Sequence, residues 1–238
     1  RFGSILLKGF VNEIDRSADK QFAAITALLP TGCICVVYRG TDDSIIGWKE
    51  DCLLSLSAPI PSHAAAADYL SAAAEAAVVC GSKKLYIAGH SKGGNLALYA
   101  AGSAAASIRE WIERVFCFDS PGFAFDIEQR SGFQAIIPKT ASFIPQSSVV
   151  GVLLSYLPHY TVIESAETNT FWQHDAFSWQ IKRDEFVTYQ QGRTKESYFA
   201  EKTMREWLSH LNDTERKEFI ETLFAVLFGT GAETLSEL

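Results

Sequence analysis

The 238-residue sequence lacks several features that mark large classes of proteins. It has no run of lysines and arginines, and its formal net charge is −7, so we expect no nucleic-acid partner. No apolar segment approaches the roughly 20 residues that span a bilayer, so we expect no transmembrane segment. No signal peptide is visible, and the chain opens at Arg1 rather than at a methionine, so we expect further residues upstream.

The cysteines show no pattern of disulfides or metal ligation. Their number, five, is odd, and no zinc-like spacing occurs, so we expect neither a disulfide framework nor a metal. Small apolar runs surround several of them, which indicates buried, reduced thiols and a cytoplasmic protein. The five are Cys33, Cys35, Cys52, Cys80 and Cys117.

Hydrophobic residues make up 47% of the chain, which is enough for one substantial core. We therefore predict a single domain over residues 1–238, with a C-terminal helical segment from about 190. Helices and strands alternate in the middle third, which predicts the α/β class with a mostly parallel sheet. Strands are predicted at 5–11, 22–29, 33–38, 85–88, 115–118, 141–144 and 160–163, and helices at 62–80, 95–106, 108–113, 196–211 and 214–228.

One short stretch, Gly89-His-Ser-Lys-Gly93, matches the pattern G-x-S-x-G. It follows an apolar strand and precedes a helix that begins with small residues, which is the context of a nucleophilic serine on a tight corner. We therefore predict Ser91 as the nucleophile of a hydrolase. The alternative is that the glycines form a tight turn and nothing more.

A nucleophilic serine needs a base, and in such sheet enzymes the histidine follows it in the chain. Three histidines follow Ser91: His159, His174 and His210. His174 lies in the aromatic-rich segment TFWQHDAFSW, where aromatic neighbours would fix an imidazole and exclude water. We predict that His174 is the base. The alternative is a hydrogen-bonded structural histidine at the edge of the core.

The base in turn needs an acid that orients it. Asp119 ends the strand that follows the serine's strand, so its carboxylate would lie near the base; it is our predicted acid. The alternative for Asp119 is a turn residue that bonds its own backbone ahead of Pro121. Asp175 is a weaker candidate, because it adjoins His174 and neighbouring side chains diverge.

The oxyanion of the reaction needs preorganised donors. The N–H of Lys92 lies at a helix N-terminus directly after the serine, and the loop Arg39-Gly-Thr41 follows an earlier strand. We predict Thr41 and Lys92 as the oxyanion hole, with both the N–H and the hydroxyl of Thr41 available. Arg39 is expected to pair with a carboxylate such as Asp51.

These stretches together resemble a known family. Tyr38–Asp51 (YRGTDDSIIGWKED) resembles the FRGT…W…D block of class 3 lipases, and GHSKGG and FDSPGF resemble their elbow and next strand end. With QHDAFSW, the combination over residues 5–185 resembles a bacterial family of class 3 lipase-like proteins of unknown function. The resemblance implies an α/β-hydrolase fold, a mostly parallel sheet flanked by helices, and a short lid at Asp42–Trp48. It also implies the roles already given to Ser91, Thr41, Lys92 and His174.

The chain departs from that family at the usual position of the acid. Class 3 lipases carry it in a segment like NERDIVP, and the corresponding stretch here, PQSSVV at 145–150, offers Ser147 or Ser148 instead. This departure favours an acid one strand earlier, at Asp119.

Our leading functional prediction is a lipase- or esterase-type serine hydrolase that cleaves acyl esters or thioesters through an acyl-enzyme. The expected partner is a small acyl or lipid substrate, and no cofactor is required. The departure motivates one alternative, a non-catalytic α/β-hydrolase-fold binding protein with an acyl pocket. Amide or peptide hydrolysis is a third possibility, since the same residues serve it.

Overall fold

The centre of the fold is a seven-stranded sheet, seen in a computed structural model that describes residues 3–57, 59–79, 81–82 and 84–238. The strands lie side by side in chain order. The first three pair antiparallel, and each later strand pairs parallel with the one before it. The predicted α/β class with a mostly parallel sheet is therefore confirmed. The strands are β1 (Leu6–Asp15), β2 (Lys20–Leu28), β3 (Ile34–Tyr38), β4 (Leu85–His90), β5 (Ile112–Phe118), β6 (Thr140–Pro145) and β7 (Thr161–Ile163).

Seven helices of the described residues connect or follow these strands. They are α1 (Ile45–Leu53), α2 (Pro61–Val79), α3 (Lys92–Ser103), α4 (Ala106–Trp111), α5 (Ser131–Ile136), α6 (Lys195–Ser209) and α7 (Asp213–Gly229). The parallel strands advance in one direction, and right-handed crossovers then place their connecting helices on one face of the sheet. In agreement, α3 packs against both α2 and α5.

The sheet has two apolar faces that are covered differently. In β3 and β4 every second residue is buried, as expected where one face lies under helices and the other is only partly covered. The partly covered face carries a row of aromatic rings, with centroids 5.7 Å apart between Phe118 and Phe143 and 5.3 Å apart between Phe143 and Phe186. Phe186 belongs to a short hairpin of β8 (Ile181–Lys182) and β9 (Glu185–Phe186) that covers part of this face.

Helix α1 is absent from the sequence prediction. The segment that resembles a short lid instead begins a regular helix, capped by the Ser44 side chain, which accepts a hydrogen bond from the Gly47 N–H. The cap explains why the helix starts here, because the serine side chain accepts from a first-turn N–H that has no acceptor within the helix. The sequence lacks the apolar periodicity of a surface helix here, which is why it was missed.

The two terminal helices are close to their predicted limits. α7 begins after Asn212, which forms a capping box with Glu215. It docks on α1 through a small core of Ile45, Ile220 and Phe224.

One apolar stripe of α7 is exposed. Phe219, Leu223 and Val226 are exposed, and the buried residues Ile220 and Phe224 lie one position further along the chain. The helix is therefore rotated so that the face with Ile220 and Phe224, and not the stripe, meets α1.

The described cysteines are free thiols: Cys33 and Cys117 are buried, and Cys35 and Cys52 are half-buried. Cys80 lies outside the described residues. None of the described helices combines the length and the apolar character needed to cross a bilayer.

Candidate active site

Ser91 sits on a strained corner between β4 and α3. Its backbone lies at φ 57° and ψ −133°, in a region that favours glycine, and its N–H donates to the Phe118 carbonyl over 2.9 Å. Strand and helix crowd together here. A Cβ on Gly89 would come within 2.1 Å of the Gly93 backbone, and one on Gly93 within 2.2 Å of the Tyr38 carbonyl oxygen. Both outer glycines of the G-x-S-x-G pattern are thus required by close approach, as the strained elbow demands.

His174 and Asp119 meet although 55 residues separate them in the chain. The distance from His174 Nδ1 to Asp119 Oδ2 is 2.7 Å. The Asp119 carboxylate is fully buried, so this hydrogen bond is shielded from water. Because Nδ1 is held by the carboxylate, the imidazole keeps Nε2 for other contacts, and Nε2 has no partner among the described residues.

Asp119 owes its position to backbone geometry as well. Its φ is 43°, and its N–H donates to the Phe143 carbonyl over 2.8 Å at the end of the neighbouring strand. Asp175, the weaker candidate for the acid, turns away from His174. Its carboxylate accepts from the Phe177 N–H over 3.0 Å and caps a turn of 3₁₀ helix.

The segment PQSSVV at 145–150, which lacks the acid of class 3 lipases, contacts Asp119. Ser148 donates its hydroxyl proton to Asp119 Oδ1, and the Gly151 N–H donates to the same oxygen over 3.1 Å. The position where class 3 lipases would carry their acid therefore supplies a hydroxyl that supports a carboxylate from the preceding strand. Ser147 faces elsewhere: its hydroxyl contacts Thr194 Oγ1 at 3.0 Å.

His90, the residue before Ser91, also belongs to the site, and sequence reasoning missed it. Its Nε2 donates to the carbonyl oxygen of His174 over 2.7 Å, and the two rings lie 4.5 Å apart. Burial is the main cause that lowers the pKa of His90, with the neighbouring His174 second, so the ring is neutral at neutral pH. The pattern G-x-S-x-G leaves this position open, so it contained no signal for His90.

Thr41 and Lys92 line the same cavity as Ser91, and their role as the oxyanion hole stays a prediction. The Thr41 hydroxyl donates to Asp51 Oδ2 over 2.6 Å, so only its backbone N–H has no acceptor among the described residues. Arg39 pairs with a carboxylate, as expected, but the partner is Asp42, with its Oδ2 at 2.8 Å from the guanidinium, rather than the suggested Asp51. The short loop directs Arg39 to a nearer carboxylate.

Asp51 has an unusual environment. Burial raises its pKa from 3.8 to about 6; the charge of Glu50 adds to this, and Lys92 and the hydrogen bond from Thr41 act against it. One oxygen, Oδ1, is buried without a hydrogen-bond partner among the described residues. A carboxylate so placed titrates within the range in which many hydrolases are assayed.

Ser91, His174, Thr41 and Lys92 all line one cavity of about 500 Å³ at the carboxyl ends of the strands. This volume lies in the usual range for sites that bind small molecules. Its walls are mostly apolar, and helices α1, α6 and α7 contribute to them, in addition to Trp48 at the end of the expected short lid. The apolar lining includes Trp48, Leu54, Leu154, Met204, Trp207 and Phe219.

A buried polar pair holds the loop after Asp119 in place. His63 on α2 accepts the Ile60 N–H at Nδ1 and donates from Nε2 to Asn95 Oδ1 over 2.7 Å. The Asn95 amide then donates to the Gly122 carbonyl over 2.7 Å. Burial lowers the pKa of His63 to about 4, so this histidine is neutral and structural. The remaining histidines, His159 and His210, are exposed.

These elements define a lipase-like α/β-hydrolase fold, which confirms the predicted fold class. A fungal lipase in complex with an inhibitor is 14% identical and has a TM-score of 0.52, covering 68% of this chain and 67% of that one. The native Rhizomucor miehei lipase–propeptide complex is 12% identical with a TM-score of 0.52, over 89% of this chain and 67% of that one. A deletion mutant of that complex is 16% identical with a TM-score of 0.50, over 67% and 56%.

Sequence comparison identifies the family more narrowly. The sequence model of the Mbeg1-like family matches residues 1–225, so the chain belongs to the Mbeg1-like family, a domain of unknown function. No curated protein sequence matches the chain.

Proposed function

We propose that the protein is a serine hydrolase of the lipase or esterase type that cleaves acyl esters or thioesters through an acyl-enzyme. The observation that carries the proposal is the 2.7 Å hydrogen bond from His174 to the buried Asp119, in the cavity that also contains the strained Ser91. A histidine held by a buried carboxylate beside a serine on an elbow is the arrangement that serine hydrolases use.

The proposed reaction begins at the Ser91 hydroxyl. Its oxygen attacks the acyl carbon while its proton moves to His174 Nε2, and Asp119 stabilises the imidazolium that results. The negative charge on the former carbonyl oxygen is held by the N–H groups of Thr41 and Lys92. Collapse breaks the bond to the alcohol or thiol, which leaves with the proton from His174. Water then attacks the acyl-enzyme with the same proton transfers and frees the acid.

The walls of the cavity support an acyl substrate. Leucine, methionine and aromatic side chains make up much of the lining, so an alkyl chain would be stabilised when it leaves water for the cavity. A peptide would bring polar groups that this lining cannot satisfy. The cavity therefore favours esters or thioesters of apolar acids over amides.

Ser148 weakens the case for a protein that binds without catalysing. The alternative rested on the missing acid after β6, and Asp119, supported by the Ser148 hydroxyl, offers a carboxylate in its place. The acid would then be relocated by one strand rather than lost.

We also propose a cytoplasmic location, supported by the free cysteines. Burial raises the pKa of the Cys117 thiol to about 12, which makes it unreactive toward oxidants and suits a reduced structural thiol.

A fluorophosphonate probe, read by intact mass, tests the proposal on the wild type and Ser91→Ala. We expect a single adduct on the wild type and none on the variant. Ser120→Ala is the matched control, because Ser120 lies near the site but has no role in the mechanism. Its labelling should equal that of the wild type. An adduct that persists in Ser91→Ala, or none on folded wild type, would contradict the proposal.

A further inference from the structure

Two consecutive carboxylates on α1 lie beneath the predicted oxyanion donors. Asp51 accepts from the Thr41 hydroxyl, and Glu50 contacts the ammonium of Lys92, with 2.8 Å between Glu50 Oε2 and Lys92 Nζ. Lys92 and Thr41 are the residues whose N–H groups would hold the oxyanion. One turn of a single helix thus reaches both.

The Lys92 side chain leaves no donor for a substrate. It is 1% exposed, and its three ammonium protons match three acceptors: Glu50 Oε2, the Gln21 carbonyl at 2.9 Å and Gln21 Oε1 at 2.8 Å. A lysine with its charge directed into the core under α1 cannot act as a base or bind a ligand in the cavity. The Lys92 side chain can therefore affect the reaction only through the position of the Lys92 backbone.

Glu50 is fixed as completely as its partner. Its carboxylate is fully buried and, besides Lys92, accepts from the Gln21 N–H, the Ser62 N–H and the Ser62 hydroxyl at 2.8–3.0 Å. These four contacts join it to three elements: β2, α2 and the start of α3. Glu50 therefore ties α3 rigidly to α1 and the edge of the sheet.

A buried ion pair of this kind is weak evidence for stability, because desolvation cancels much of its attraction. Apolar residues of similar size are often as stable or more so. Hydrogen bonds are directional, so they fix one orientation of the groups that they join, which apolar packing does not do. The first residue of α3 is where orientation matters, because its N–H must meet an oxyanion that exists only in the transition state.

We propose that Glu50 is a positioning residue that acts through the Lys92 ammonium to orient the Lys92 N–H toward the oxyanion. The inference rests on the proposed function. With Asp51 holding Thr41, adjacent residues of α1 then set the separation between the two donors.

The test removes both charges at once, so that neither is left buried and unpaired. The variant is Lys92→Met combined with Glu50→Gln, compared with the wild type for kcat, KM and melting temperature on a short acyl ester. We expect kcat to fall about 10- to 100-fold with KM nearly unchanged, since displacing an oxyanion donor costs less than the 10²–10³-fold loss on removing one. The melting temperature should stay close to that of the wild type.

The matched control is Lys49→Met, on the same helix. Lys49 is also paired, to Glu221 at 2.8 Å and to Asp19, but it contacts neither donor, so its kcat should remain at the wild-type level. Single Glu50→Gln keeps the shape of the side chain and should give a partial loss of kcat.

The affinity for a trifluoromethyl ketone, which forms a tetrahedral oxyanion on the serine, is the second measurement. It should weaken by the same factor as kcat in the double variant. Wild-type kcat and ketone affinity in a folded double variant would overturn the inference while leaving the proposed function intact. Absence of both labelling and turnover in the wild type would overturn the proposed function, and this inference with it.

Discussion

Asp119 decides which tautomer His174 adopts. Its carboxylate accepts the Nδ1 proton, so Nε2 is the nitrogen left for the proton transfer that we propose from Ser91. The carboxylate is itself held by Ser148 and the Gly151 N–H, and so has little freedom to turn away.

At this scale we predict that His174→Ala and Asp119→Asn each lower kcat by about 10³-fold or more, because each removes a member of a unit that acts together. Asp175→Asn should lower it by less than tenfold, since Asp175 only caps a turn. The comparison is kcat on one acyl ester with folding checked by circular dichroism. A loss in Asp175→Asn as large as that in His174→Ala, with Asp119→Asn active, would place the acid at Asp175.

The sequence was most informative at positions where the proposed reaction or the tight turn allows few residue types. G-x-S-x-G requires small residues for a reason that can be stated without a structure, and the elbow at Ser91 has that geometry. The contact between His174 and Asp119 agrees with the predicted pair, while their catalytic roles stay predictions. His90, Glu50 and His63 could not have been found, because each acts through a contact across the fold that no local pattern encodes.

Helix α6 is the element that shapes the far side of the cavity. It is mostly exposed, and its Met204 and Leu208 line both the cavity with Ser91 and a second one of about 550 Å³ behind it. Leu154, which has a positive φ of 62°, lines both as well. The two spaces are thus separated by a thin layer of side chains.

We predict that Met204→Trp shifts selectivity toward short acyl chains, because a larger ring would fill the space where a long chain lies. The ratio of kcat/KM for an acetyl ester to that for a dodecanoyl ester should rise about tenfold, as expected when several buried methylenes lose their contacts. Lys202→Trp is the control, since Lys202 points to solvent on the same helix. An unchanged ratio in Met204→Trp would mean that acyl chains do not reach α6.

The elements themselves were predicted unevenly. Strands with continuous apolar runs and the two long terminal helices were found, because burial and capping both leave local signals. α1 and the β8–β9 hairpin were not, since α1 is short and depends on α7 for its packing, and the hairpin has only two residues in each strand.

The whole molecule contains two titratable side chains, Asp51 and His63, whose pKa shifts have opposite effects on how stability changes with pH. The pKa of Asp51 is raised from 3.8 to about 6, so its protonated form is favoured by folding, and its contribution to stability declines as pH rises through 6. The pKa of His63 is lowered from 6.5 to about 4, so its contribution is present above 6.5 and is lost as pH falls toward 4. Between pH 4 and 6, the contribution of Asp51 to the free energy of unfolding falls with pH, while that of His63 rises.

We predict that the pH-dependent contribution of each group appears as the difference in free energy of unfolding between the wild type and the variant that lacks that group. Relative to Asp51→Asn, the wild type should gain free energy of unfolding as pH falls from 7 to 4, by at most about 3 kcal/mol at about 1.4 kcal/mol per unit. Relative to His63→Gln, it should lose a similar amount over the same interval. Urea unfolding at pH 4, 5, 6 and 7 measures both. Parallel curves for wild type and Asp51→Asn would show that Asp51 titrates normally.

At the scale of the whole molecule, the fold class could be predicted and the number of domains could not. The alternation of helices and strands was sufficient to predict the fold class, because crossovers between parallel strands allow few topologies. The boundary of one domain at 1–238 stays a prediction, since composition shows that a core can form and not that the chain forms only one.

The order of strands in the sheet has a consequence for biosynthesis. Each strand pairs with the one made just before it, so the sheet can grow strand by strand while the ribosome is still adding residues. His174 follows His90 by 84 residues, and α6 and α7 follow later still. A nascent chain would therefore carry its serine elbow well before it can carry a base. The proposed hydrolysis would require that the chain has emerged at least as far as His174.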